Sequence, residues 1–286
     1  MALEETDGAP ELWNARAGAA WIRQQQRTDR QLESFGHALM AKLEPRPGER
    51  VLDVGCGCGQ TTIELGQRVA PGGAVVGVDI SDEMLAYARS RAVREGAQNV
   101  EFVHADAERA PFEDGKYDVV FSRFGVMFFE NAQNAFENLR RALTSKGRLG
   151  FVCWQAFERN PWSRLPLRAV QDALQIRELP PLFIEGSRGP FAFADPDLVR
   201  GILEGAGFRG IAIDRFETQM RVGASTALDD IVEYASEIGP AARLIAAQDP
   251  ELRPRGVAAL RECFASLLTA EGVVLDAAAF LVTALA

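Results

Sequence analysis

Aspartate, glycine and cysteine crowd one short stretch, Asp53-Val54-Gly55-Cys56-Gly57-Cys58-Gly59, and their spacing admits two chemistries. Alternating thiols suggest a soft-metal site. Three glycines after an apolar strand suggest a seat for a nucleotide-like ligand, because the backbone can approach it closely and the following helix points free N–H groups at it. The thiol reading lacks partners. Cys153 and Cys263 are remote, no third ligand stands nearby, and the four cysteines form neither a disulfide nor a zinc framework. Cys56 and Cys58 then read as small residues filling a glycine turn, and no metal is expected. A second acid, Asp79, stands twenty residues beyond Gly59, where it can accept from both hydroxyls of a ribose. The glycines run G-x-G-x-G, with Gln60 where a dinucleotide fingerprint requires its third glycine. These positions alone imply only an adenosine-type ligand.

Such residues must be held by strand ends and helix starts, and the chain supplies them in alternation. Val51–Val54 is a short apolar strand, followed by a helix over 61–69. Ala74–Asp79 is a second strand closed by its acid, and Ser81 caps the helix after it. Asn99–His104, Tyr117–Ser122 and Arg148–Trp154 read as three more strands, with a helix over 132–143 before the last. Apolar strands alternating with helices predict a doubly wound, Rossmann-like α/β fold around a mostly parallel sheet. Upstream, 11–43 carries a helical repeat that includes Trp13, Trp21, Phe35 and Leu39 and is stopped by Pro45 and Pro47; residues 1–10 read as frayed.

The alternation breaks at Gln155. Residues 155–194 hold Pro161, Pro166, Pro180, Pro181 and Pro190 and read as an inserted lid. Asp195-Pro196 starts a helix that stops at Gly207, 208–222 reads as a long strand, and 228–270 is helical with breaks at Gly239-Pro240 and Asp249-Pro250. The last stretch, 277–286, reads as a strand beside 208–222 rather than the helix its alanines favour. The resulting division is a 1–47 arm, a 48–154 core, a 155–194 lid, a 195–225 core continuation, a 226–272 helical cap and a 273–286 terminal strand. The sheet then has seven strands, lidded by the N-terminal arm and the late insertions.

Thirty-one basic residues against forty acidic ones give a net charge of −9, which disfavours a phosphate-tracking surface and hence a nucleic-acid partner. No apolar run is long enough to span a bilayer, and the N-terminus, acidic and without an apolar core, does not read as a signal peptide. A cytoplasmic protein is expected, of unspecified oligomeric state.

In order, Val51–Gly59, Val76-Gly77-Val78-Asp79-Ile80-Ser81, Ala105-Asp106-Ala107, Tyr117–Ser122, and Leu143 with Lys146-Gly147-Arg148-Leu149 resemble the motifs of class I S-adenosylmethionine-dependent methyltransferases. The branch they are most similar to is the ubiquinone/menaquinone-biosynthesis-like one that modifies small molecules. The resemblance covers 48–154 and implies S-adenosylmethionine as cofactor, S-adenosylhomocysteine as product and a small-molecule acceptor. It further implies that Asp53 and the backbone of Gly55, Cys56 and Gly57 face the methionine moiety, which is zwitterionic rather than phosphorylated. Asp79 would hold the ribose and Ile80 and Met84 the adenine, with Asp106 and the N–H of Ala107 on its polar edge. Ser122 would sit beside the sulfonium, and Trp21 and Gln25 of the arm would close over the methionine end.

Arg123, Phe124 and Met127 follow Ser122 beyond the fourth strand, where open parallel sheets place their reactants, and are the candidate acceptor contacts. The blander reading of the aromatics there, and of Trp21, is core packing. No catalytic base is identifiable: His37 and His104 have ordinary surface readings, and Glu130 and Tyr234 have no geometric argument behind them. Two alternatives stand beside methyl transfer, namely an NAD-type oxidoreductase and a protein that binds the adenosyl ligand without methylating.

Overall fold

The computed structural model describes residues 16–178 and 188–286, so residues 1–15 (with Trp13) and the prolines at 180 and 181 lie outside the described residues. A seven-stranded sheet of order β3-β2-β1-β4-β5-β7-β6 forms the centre. Strands β1 (Arg50–Val54), β2 (Ala74–Asp79), β3 (Val100–His104), β4 (Tyr117–Arg123) and β5 (Leu143–Trp154) are mutually parallel. β7 (Val274–Leu285) enters antiparallel between β5 and β6 (Arg209–Arg221), so the terminal segment is a strand with partners on both sides. The predicted seven-stranded, mostly parallel α/β architecture is therefore the one observed.

Two helices open the described chain, α1 (Arg16–Arg23) and α2 (Gln25–Leu43), where the sequence pattern predicts one. No proline or glycine marks the break at Gln24. Between the parallel strands run α3 (Gln60–Val69), α4 (Asp82–Glu95) and α5 (Ala132–Ala142). Their starts are specified locally: Ser81 accepts from the Met84 N–H at 3.4 Å and Asn131 from the Asn134 N–H at 3.0 Å. β5 begins at Leu143, five residues before the expected Arg148, because Leu143 already pairs with Tyr117 across an irregular register.

Within the inserted segment, residues Pro161–Ala173 form a helix, α6. Pro161 occupies the first helical turn, where its missing N–H has no intrahelical partner to lose. After α7 (Pro196–Gly205), capped by Asp195, come α8 (Leu228–Glu237), α9 (Pro240–Ala246) and α10 (Arg253–Leu267). Leu167 and Val170 of α6 pack with Ile231, Leu244, Leu260 and Phe264 in a hydrophobic core separate from the sheet's. α6 thus belongs to the helical cap.

The arm ties cap to core. Arg27 reaches Glu233 at 2.9 Å and Asp230 at 3.1 Å, Gln24 reaches Glu237 at 3.2 Å, and the buried Thr28 and Tyr234 hydroxyls meet at 3.4 Å. On its other face α2 sends Gln25 to the Tyr87 hydroxyl at 2.9 Å and Asp29 to Arg91 at 2.6 Å, both on α4. None of the described helices is long and apolar enough to cross a membrane.

Candidate active site

The carboxyl ends of β1, β2 and β4 converge on the glycine turn. Gly55 has φ 70° and Gly57 φ 53°, backbone that L-residues with a side chain rarely adopt. The Gly55 and Cys56 N–H groups donate to the Val78 carbonyl at 2.9 and 3.1 Å, which bends the turn across the end of β2. A Cβ on Gly55 would lie 2.8 Å from the Gly125 Cα, so the turns after β1 and β4 touch backbone to backbone. Ser122 reinforces that contact: its buried hydroxyl donates to the Val54 carbonyl at 2.7 Å and accepts from the Gly125 N–H at 3.2 Å.

Asp79 is fixed from both sides at the tip of β2. Its Oδ2 accepts from the Gly57 N–H at 2.8 Å and its Oδ1 from the Ser81 N–H at 3.0 Å. Burial raises its pKa, opposed by these backbone donors and by His104. A Cβ at Gly57 would make only an ordinary van der Waals contact, with the Met84 sulfur of α4 at 3.9 Å.

Asp53 has no exposure at all. Its Oδ2 accepts from the Thr61 and Thr62 hydroxyls, both at 2.7 Å, while Oδ1 finds no partner among the described residues. Burial pushes its pKa up to about 6, partly offset by the two threonines and by the charge of Arg123. An acid raised in the folded state contributes stability that is present below its unfolded pKa and is lost as pH rises through its folded pKa. Folding stability is thus expected to fall between about pH 4 and about pH 6, by roughly 2–3 kcal/mol. Asp53→Asn keeps an oxygen for the threonines and should flatten that slope. Denaturant unfolding across this pH range checks it; an unchanged slope would assign the pH dependence elsewhere.

The other expected residues divide. Met84 is buried against the turn, and Ile80 follows Asp79 with its carbonyl 3.1 Å from the His104 ring. Asp106 closes a local turn, its Oδ1 accepting from the Glu108 N–H at 3.0 Å, and the Ala107 carbonyl accepts from Asn138 at 3.0 Å. Gln25 is buried under α4, bonded to Tyr87 and Asp29. Trp21 is half-buried against the sheet core.

Arg123 donates to Gln60 at 2.6 Å and faces Asp29 at 3.8 Å. Phe124 holds a left-handed φ of 63°, stacked on Trp154 with ring centroids 4.1 Å apart and edge-on to Phe35 at 5.4 Å. Met127 is buried just beyond it.

Cys56 packs with Ile63, Leu85 and Phe102 under β2, and burial raises its thiol far above the usual range. Cys58 is pushed up to about 12, again mainly by burial. Neither thiol has the exposed, electropositive setting of a reactive cysteine. The carboxylates of Glu33 and Glu64 and the His37 ring do come within 4.8 Å of one another, on the outer side of α2 and α3.

Sequence reasoning missed Asp29, Gln60, Tyr87, Arg91 and Trp154. Trp154 was findable as an aromatic ending a strand. Asp29 and Arg91 join the site only through tertiary packing of α2 on α4.

The fold is a doubly wound α/β one with a glycine turn after its first strand and a buried acid at the tip of its second, and comparison with known proteins narrows the class. Residues 51–147 match the family described as "Methyltransferase domain". Nocamycin O-methyltransferase of Saccharothrix syringae is 30% identical over 195 residues, which is 66% of this chain and 70% of that protein. The ubiquinone/menaquinone biosynthesis C-methyltransferase UbiE of Ectopseudomonas mendocina is 44% identical over 105 residues, 36% of this chain and 41% of UbiE. The chain thus spans less than half the length of that relative. Among solved structures, the YcgJ protein of Bacillus subtilis has the same fold, with a TM-score of 0.58 at 19% identity, covering 87% of this chain and 97% of its own. The chain belongs to the class I S-adenosylmethionine-dependent methyltransferases.

The residues present fit that cofactor. Asp53 and Asp79 put two buried carboxylates at the turn, a setting that repels a pyrophosphate and suits a ribose diol and a cationic sulfonium. The buried Asp53 Oδ1 is an acceptor that none of the described residues fills.

Proposed function

We propose that this protein transfers the methyl group of S-adenosylmethionine to an O, N or C atom of a small, largely apolar acceptor. The observation that carries this is Asp79, held between the Gly57 and Ser81 amides at the tip of β2. When bound there, S-adenosylmethionine would supply a methyl group already activated on a sulfonium, leaving S-adenosylhomocysteine.

The protein's own residues then hold and shield. Asp79 takes the ribose hydroxyls, Ile80, Met84 and the Asp106–Ala107 turn border the adenine, and Asp53 with the amides around Gly57 faces the methionine end. Ser122 fixes the turn after β4 against β1 and thereby sets where the acceptor meets the methyl. Phe124, Met127 and Trp154 offer an aromatic wall at the ends of β4 and β5, which supports a flat, apolar acceptor. The arm, the inserted segment and the helical cap act together as its lid. Catalysis on this reading is mainly positioning and exclusion of water, worth up to ~7–11 kcal/mol where alignment is good. No general base is assigned: His37 pairs with Glu64 at the surface, His104 lies beside Asp82, Glu130 is bound to exposed Arg109, and Tyr234 is buried on Thr28.

Incubation with a deuteromethyl-labelled donor and panels of phenols, quinols, amines and carboxylic acids tests the assignment. A product carrying the labelled methyl together with S-adenosylhomocysteine is expected. Ligand binding without any labelled product across those panels would favour an adenosyl-binding protein of another chemistry.

A further inference from the structure

The arm carries one feature that the proposed reaction does not use. Asp29 of α2 is nearly buried, its side chain 13% exposed, and stands between two guanidinium groups, Arg91 on α4 and Arg123 at the end of β4. Its Oδ2 is taken, by Arg91 at 2.6 Å and by the Gln25 amide. Its Oδ1 has Arg123 at 3.8 Å, beyond hydrogen-bond range. Arg123 in turn spends Nη1 on a neutral partner, the Gln60 amide oxygen at 2.6 Å, at the start of the helix that follows the glycine turn. Gln60 directly follows Gly59, so its bond to Arg123 brings the group to the end of that turn.

A sheltered carboxylate oxygen without a hydrogen bond lies 3.8 Å from a sheltered guanidinium whose hydrogen bond goes to a neutral amide, both near a turn whose proposed ligand ends in an α-ammonium and an α-carboxylate. We infer that Asp29 and Arg123 are the recognition pair for the zwitterionic amino-acid end of the adenosyl ligand, Asp29 accepting from the ammonium and Arg123 donating to the carboxylate. This rests on the adenosyl-binding reading above. Carboxylate recognition asks Arg123 to exchange Gln60 for a charged acceptor, a stronger bond. Because Asp29 rides on the arm, the same contact closes the arm on a ligand that carries an amino acid and not on one that lacks it. Arg91 is bound to Glu95 as well as Asp29 and lies outside the pair.

Two probes separate these roles by calorimetry: S-adenosylhomocysteine, which carries the amino acid, and 5′-methylthioadenosine, which does not. Asp29→Asn and Arg123→Gln should each weaken S-adenosylhomocysteine by roughly 10- to 100-fold, the scale of a lost charge-assisted hydrogen bond. Methylthioadenosine should stay within about twofold of its wild-type affinity, on the same reasoning that only the charged contact is lost. Arg91→Gln should bind both probes like wild type, since Gln25 still holds Asp29. Equal losses for both probes, or an Arg91→Gln loss matching that of Asp29→Asn, would overturn the pair and make the network a structural latch. Unchanged S-adenosylhomocysteine affinity in both variants would overturn it outright. If wild type binds neither probe, the adenosyl site itself is wrong and the pair falls with it; if wild type binds both, only the pair is under test.

Discussion

Asp79→Ala is expected to weaken S-adenosylhomocysteine binding by two to three orders of magnitude while the protein stays folded. The ribose would lose two charge-assisted hydrogen bonds at a buried carboxylate, each worth about 1.5–3 kcal/mol. Two effects on the fold oppose one another. The Gly57 and Ser81 N–H groups lose their acceptor, which destabilises the turn, while a carboxylate whose pKa burial raises is removed, which relieves desolvation. The net change in stability should be small beside the change in binding. Calorimetry with the ligand, run next to a thermal melt of each variant, reads the two separately. Retention of tight binding would mean that the ribose hook lies elsewhere on the chain.

Gly125→Ala is expected to disrupt the site through a single added methyl group. Its φ of −79° is compatible with alanine, so the objection is entirely one of space. The new Cβ would sit 2.7 Å from the Val54 carbonyl oxygen, 2.9 Å from the Gly55 Cα and 3.0 Å from the Ser122 hydroxyl. Two of these three neighbours are backbone at the ends of β1 and its turn, so relief requires separating the strand ends that converge on the ligand. Overpacking of this kind costs about 1–3 kcal/mol. Here it should also displace the turn and abolish ligand binding. A melt and a ligand titration of this variant check both halves. Wild-type affinity would show that the two turns can part without consequence and that their contact does not shape the site.

The parts of the fold that could be read from residues alone were those in which local chemistry and tertiary role agree. Val51–Val54 and Ala74–Asp79 are apolar because parallel strands inside a sheet are covered on both faces, and their closing acids stand out against that background. The glycine turn between β1 and α3 was legible for the same reason. Even the final strand could be found, since Phe280-Leu281-Val282 is apolar enough to lie between β5 and β6 despite its alanines.

Where local chemistry and tertiary role diverge, the reading failed. Proline at 161 starts a helix as readily as it interrupts one, so the prolines of 155–194 did not reveal where α6 begins or that it packs with the later helices. The arm breaks at Gln24 with no residue that announces a break. Gln25 and Asp29, one helical turn apart, face Tyr87 and Arg91, also one turn apart. Each pair alone is an unremarked stretch of polar helix surface. Only the packing of α2 on α4 makes them a network, and spacing within either helix does not encode that. Phe124 shows a third kind of gap: a bulky residue in a left-handed conformation is not foreseeable from its type, and here stacking on Trp154 holds it there.

On the proposed function, the G-x-G-x-G turn and Asp79 seat the adenosyl group of S-adenosylmethionine. Isothermal titration of the purified chain with S-adenosylhomocysteine, and separately with NAD, tests it most directly. Saturable one-to-one heat from S-adenosylhomocysteine and none from NAD is the predicted result. Heat from NAD with none from S-adenosylhomocysteine would contradict it.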